Sequence, residues 1–130
     1  MVNRREYERF PFNISVLIFK QGCDDINVDL VDISEHGLSF QFSRSEFETF
    51  PLVVGDKLEI QFVDKFYFGT VKEEYLICED AIVIHINEAA SGYLVGCKIV
   101  SQRFADYVVR RYTAEISNHS VSLMSSESSI

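Results

Sequence analysis

Three arginines fall within six positions near the start of the chain: Arg4, Arg5 and Arg9 in "RREYERFPF". A guanidinium group is always charged, and its planar fork of donors fits the oxygens of an anion. The setting is anything but cationic. Against 12 Lys and Arg stand 20 Asp and Glu, for a formal charge of -8. That balance disfavours bulk binding to nucleic acid or to an anionic membrane, both of which attract basic proteins. The cluster therefore has a local task. A second constellation follows downstream in "DISEHG", where Asp32, Ser34 and Gly37 offer an acceptor, a hydroxyl and a backbone without a side chain.

Other chemistries find less support. His36, His85 and His119 stand apart from Cys23, Cys78 and Cys97, with no C-x-x-C or i, i+4 pair of the kind that holds zinc. Cys78 and Cys97 lie in apolar strand contexts that predict buried, inert thiols, and His85 reads as a strand-face residue. The 6 glycines are scattered singly, so there is no phosphate-binding glycine loop. The expectation is a protein that is not an enzyme, with no metal and no cofactor.

These residues need a scaffold, and the alternation of the sequence predicts one. Leu38, Phe40 and Phe42 alternate with polar residues, as do Leu58, Ile60 and Phe62 after a Gly55-Asp56 turn, which is the pattern of half-buried strands. Ile82, Ile84 and Ile86 share one face, with Val83 and His85 on the other. Residues 13–19, 26–33, 66–78 and 93–100 complete the set, with turn chemistry in "QGCDD", "SEHG" and "EAASG". Six or seven short strands without intervening helices predict an antiparallel β-barrel, because closure removes exposed edges.

Past Ser101, a plausible N-cap, Phe104, Val108, Tyr112 and Ile116 recur every four residues, which predicts one C-terminal helix packed on the barrel. Arg110 and Arg111 then fall toward its C-terminal half, where cations suit the helix dipole. Phe47 and Phe50 predict a short turn over another opening. The organisation expected is a mobile arginine-rich arm over 1–12, a barrel with its helix over 13–118, and a flexible serine-rich tail over 119–130. No apolar run is long enough for a membrane span and no signal peptide is evident. The odd, widely spaced cysteines fit a reducing compartment, so the cytoplasm is the expected location.

Arg5 and Arg9 form R-x-x-x-R, and residues 32–37 form [D/N]-x-S-x-x-G. With both motifs complete and in this order, the chain resembles the PilZ family, bacterial receptors for the second messenger cyclic di-GMP. "VGCKI" at 95–99 and the helix after it are similar to the family's last strand and C-terminal helix, so the resemblance covers about residues 4–117. R-x-x-x-R alone is a weak signal; the ordered pair on a barrel pattern is specific. His36 departs from the family, where the residue before the motif glycine is often glycine.

The resemblance implies a cyclic di-GMP site made of Arg4, Arg5, Arg9, Asp32, Ser34 and Gly37. The ligand has two phosphates and two guanines, and arginine can serve both by bidentate bonding and by stacking. Asp32 would accept from guanine N–H groups, Ser34 would donate, and Gly37 would let the backbone approach. An arginine just before R-x-x-x-R resembles a selector for two intercalated ligand molecules per chain. The empty arm closes over bound ligand, and the altered surface signals to an unidentified effector protein, since 130 residues leave no room for an output domain. Two other readings stand beside this one: a PilZ-like adaptor that binds protein without nucleotide, and a barrel that stacks single-stranded nucleic acid on aromatics. Charge and the absence of interleaved basic residues disfavour the last.

Overall fold

The computed structural model describes residues 10–128, with side chains up to residue 118. Its seven strands are β1 (Phe10–Pro11), β2 (Ser15–Phe19), β3 (Ile26–Ser34), β4 (Gly37–Ser43), β5 (Lys57–Phe68), β6 (Val71–Ala89) and β7 (Gly92–Lys98). The helices are α1 (Arg44–Thr49) and α2 (Gln102–Ser128). All pairings are antiparallel. The sheet runs β3-β2-β5-β6-β7-β4 and returns to β3, so six strands close into a ring. β1 is the seventh, set on β3 beyond the stretch that pairs with β2. The expected all-β ring with a C-terminal helix is thus what the chain forms.

Inward residues fill the ring: Val16 and Ile18, Leu30 and Ile33, Leu38, Phe40 and Phe42, Ile60, Val83 and Val95 are all buried. At opposite ends of the β4–β7 seam the backbones approach too closely for any side chain. A Cβ on Gly37 would lie 2.2 Å from the Cys97 carbonyl oxygen, and one on Gly92 would lie 2.0 Å from that of Phe42.

Three local features depart from simple alternation. Residues 66–78 are not one strand: Gly69, at φ +66°, turns the chain between β5 and β6, and β6 then runs on through the isoleucines. A bulge between Leu30 and Asp32 shifts the phase of β3. A second bulge between Val83 and His85 does the same in β6. Val83 keeps the inward phase of Ile77 and Ala81, which leaves Ile82 and Ile84 exposed, and Ile86 regains the core only past the bulge.

The turn expected around Phe47 is a six-residue helix. The Ser43 hydroxyl accepts from the Glu46 amide at 3.1 Å, and the Glu46 carboxylate accepts from the Ser43 amide at 2.8 Å, a complete capping box. Phe47 stacks on Tyr93 and Phe50 is buried.

Ser101 does cap α2, its hydroxyl accepting from the Phe104 amide at 3.1 Å. The buried stripe is Phe104, Tyr107, Val108 and Ala114, with Ile116 half exposed. A strict four-residue repeat drifts about 40° per step on a helix of 3.6 residues per turn, so three steps carry Ile116 off the face. Because α2 runs to Ser128, Arg110 and Arg111 lie in its N-terminal half, away from the negative end of the dipole. Arg111 turns inward instead. Its Nε donates to buried Asp64 at 2.9 Å, and its guanidinium lies over the rings of Phe12 and Phe66. The Tyr107 hydroxyl donates to the same Asp64 oxygen at 2.7 Å. Burial, and then the Asp64 charge, push the Tyr107 pKa upward.

Candidate functional site

Asp32 and Ser34 end β3 and Gly37 opens β4, so the downstream motif brackets the two-residue turn Glu35–His36. Since Ile33 is fully buried, its neighbours Asp32 and Ser34 point to the outer face of the ring. The bulge before Asp32 sets this phase. Asp32 is half buried, and its Oδ1 accepts from the Ser39 hydroxyl at 2.6 Å across the β3–β4 ladder. Ser34 is buried, and its hydroxyl reaches the Gly37 carbonyl only at 3.5 Å. Asp32, Ser34 and Ser39 thus lie side by side on the outer side of the sheet, with Asp32 half buried and both serines buried.

Gly37 is needed for a reason other than turn conformation, since its φ is not positive. The contact that demands a glycine comes from the Cys97 carbonyl on β7. Gly37 therefore seats β4 on β7 at the edge of the outer face. Ser39 is the member that motif reasoning missed. Its signal was its place opposite Asp32, which requires the hairpin register.

Arg4, Arg5 and Arg9 lie outside the described residues. The chain that follows them joins the site directly. Phe10 pairs with Ile33, between Asp32 and Ser34, and Pro11 pairs with Asp32. On its other side β1 meets α2, where the Phe10 ring lies 5.1 Å from that of Tyr112. The Phe12 amide donates to the Val31 carbonyl at 3.0 Å, which fixes the chain beside the β3 bulge. Two of the residues assigned to the arm, Phe10 and Pro11, are accordingly part of the sheet, and Phe12 is core.

Of the cysteines, Cys97 is buried as expected but Cys78 is exposed, on the outward phase of β6. Desolvation, and then Glu59, raise its pKa, which keeps it a thiol. The described residues hold no group of three or more His, Cys, Asp or Glu able to bind a metal ion. Among the described residues, no helix is long and apolar enough to cross a membrane. Two concavities, of about 640 and 600 Å³, lie elsewhere, one beside Lys20 and Lys57 and one between β6 and α2.

Comparison with known proteins agrees with this architecture. Among solved structures, the Bacillus subtilis inhibitor of motility MotI/DgrA is similar at a TM-score of 0.60 and 17% identity, over 84% of this chain and 51% of that one. Escherichia coli YcgR in complex with c-di-GMP matches at 0.59 and 16%, over 98% and 51%. The K. pneumonia MrkH–c-di-GMP complex matches at 0.63 and 16%, over 89% and 55%. The chain spans about half the length of these three proteins. No curated protein matches the sequence. A family model described as the PilZ domain matches residues 3–117. The chain belongs to the PilZ domain family.

Proposed function

We propose that this protein is a cyclic di-GMP receptor whose N-terminal arm closes over the ligand and thereby signals to a partner protein. The observation that carries the reading is the register of β1. The residue that follows Arg9 pairs with Ile33, between Asp32 and Ser34, which supports a reading in which the two motifs, separated in sequence, act on one ligand. Arg5 and Arg9 supply cations for phosphate or guanine, Asp32 accepts from guanine N–H groups, and Ser34 and Ser39 lie alongside. Two similar structures, YcgR and MrkH, are complexes with c-di-GMP, which supports the same ligand here. Arg4 extends the cluster enough to serve a second, stacked ligand molecule with its four phosphates in total. The signal arises because β1 touches both β3 and α2, so an arm drawn onto the ligand alters a surface a partner can read. The three cysteines form no disulfide, which suits the cytoplasm.

Calorimetric titration with calibrated concentrations tests this. The expected result is binding of cyclic di-GMP in preference to GTP and cyclic AMP, at two ligands per chain. The melting temperature should rise by the equivalent of about 2.7 kcal/mol at 100 times Kd. Arg4→Leu should lower the stoichiometry to one. Absence of heat and of a melting shift at high micromolar ligand overturns the reading.

A further inference from the structure

The outer face continues beyond Ser39 in a line that chain order hides. Asp32 pairs with Ser39, Ser39 with Gly96, and Gly96 with His85. Four strands thus contribute one residue each to a row about 14 Å long, three interstrand steps of about 4.8 Å. That length suits a dinucleotide better than a lone phosphate. In the middle of the row Ser39 is buried and bonded to Asp32, and Gly96 carries no side chain of its own.

At the far end, the imidazole of His85 folds back over Gly96. A Cβ built on Gly96 would sit 2.2 Å from Nε2 and 2.3 Å from Cε1 of that ring. The ring therefore lies against the sheet, yet His85 remains exposed and makes no hydrogen bond or ion pair among the described residues. It is a flat π surface held at the height of the row. One row along, about 7 Å up the strand, Lys98 pairs with Gly37 on one side and Ile82 on the other. Lys98 is exposed and has no carboxylate partner among the described residues, whereas Arg44, Lys65, Arg103 and Arg110 are each matched with a glutamate.

A ligand with two phosphates needs cations on two sides. β1, the described chain that follows Arg9 in sequence, lies along the outer edge of β3, while Lys98 stands on the opposite side, across β4. We propose that the nucleotide site extends over β7 to β6, with His85 as a platform for one guanine and Lys98 as the cation for a phosphate away from the arginines. This rests on the cyclic di-GMP reading above. It adds two residues outside both motifs, from strands that supply no motif residue.

The test is titration of the full chain with cyclic di-GMP, for the parent, His85→Ala, His85→Phe and Lys98→Ala, at low and high salt. His85→Ala should weaken binding about tenfold, whereas His85→Phe, which keeps a ring to stack on, should bind within about threefold of the parent. Lys98→Ala should weaken binding about tenfold at low salt and less at high salt. The ring proton resonances of His85 should shift on ligand addition, which a purely structural role would not produce. If the parent binds but both alanine variants bind within about twofold of it, the extension is wrong and the motif site stands. If the parent binds no cyclic di-GMP, both readings fall.

Discussion

Asp32 and Asp64 are residues of one type on neighbouring parts of the same ring, put to opposite uses. Asp64 points inward on β5 and is closed in by Arg111 and the Tyr107 hydroxyl, with Phe12 and Phe66 flanking the guanidinium. Its charge is consumed inside the protein, where it fixes α2 to the sheet. Asp32 sits on the outer face, half buried, with the Ser39 hydroxyl bonded to it across the ladder and β1 along its edge. Its charge is presented outward. What separates them is a one-residue bulge in β3, which turns Asp32 out where regular alternation from Val28 and Leu30 would have turned it in. The lesson is that the phase of a strand, more than the identity of a residue, decides which face of the sheet a carboxylate serves.

The contrast breaks most visibly at Arg111. Arg111→Ala leaves Asp64 buried without its cation and should cost about 3–5 kcal/mol in urea unfolding. Cyclic di-GMP affinity of the folded fraction should be kept. The outer face should behave the other way round. Arg9→Ala and Asp32→Ala should each lose about 1.5–3 kcal/mol of binding, more than tenfold in Kd, with melting temperatures close to the parent's. If either outer-face variant unfolds as readily as Arg111→Ala, the division between the two aspartates is wrong.

Gly37→Ala sharpens the boundary, because Gly37 belongs to the motif by sequence and to the β4–β7 seam by contact. Overpacking against the Cys97 carbonyl should cost about 1–3 kcal/mol in the absence of any ligand. An alanine variant of unchanged stability and lost binding would return the glycine to the ligand. Limited trypsin digestion at Arg4, Arg5 and Arg9 should slow when cyclic di-GMP is bound, and equal rates would remove arm closure from the mechanism.

The smallest effect expected is alkaline. The Tyr107 pKa is raised from 10.0, so the folded protein keeps a proton that the unfolded chain releases. Its contribution is whole below about pH 10 and drains away as pH climbs above that. Tyr107→Phe should flatten this limb of the stability profile and leave the neutral region's slope unchanged.

Much of this was readable in the sequence, for identifiable reasons. Leu38, Phe40 and Phe42 lie in an unbulged strand, so their alternation translated directly into burial. Ser101 capped as its type and position predicted. Ile82 and Ile84 misled because an inserted residue costs a strand its phase without changing its composition. The β5–β6 turn was hidden because a lone Gly69 amid apolar residues resembles a strand interior. Arg110 and Arg111 looked like dipole partners only while α2 was taken to stop near Ile116. Both halves of the motif pair were legible as residue types, but the register that sets Phe10 beside Asp32 was not. Cross-strand neighbours such as Ser39, Gly96 and His85 are set by register, which no local pattern encodes.

The closure of the ring also has a kinetic meaning. β2, β3 and β4 follow one another as a meander, and so do β5, β6 and β7, each joined by short connections. Two seams unite them, β2 with β5 and β4 with β7, and both pair residues distant in the chain, such as Phe19 with Glu59 and Gly37 with Lys98. Local hairpins form early and non-local seams late, because loop-closure entropy must be met before the pairing rewards it. Asp32 and Ser39 belong to the first meander, Gly96, His85 and Lys98 to the second. The face that spans them comes into existence only when the two halves dock, at the end of folding, and a ligand lying across it would act as a clasp on the last seam to close.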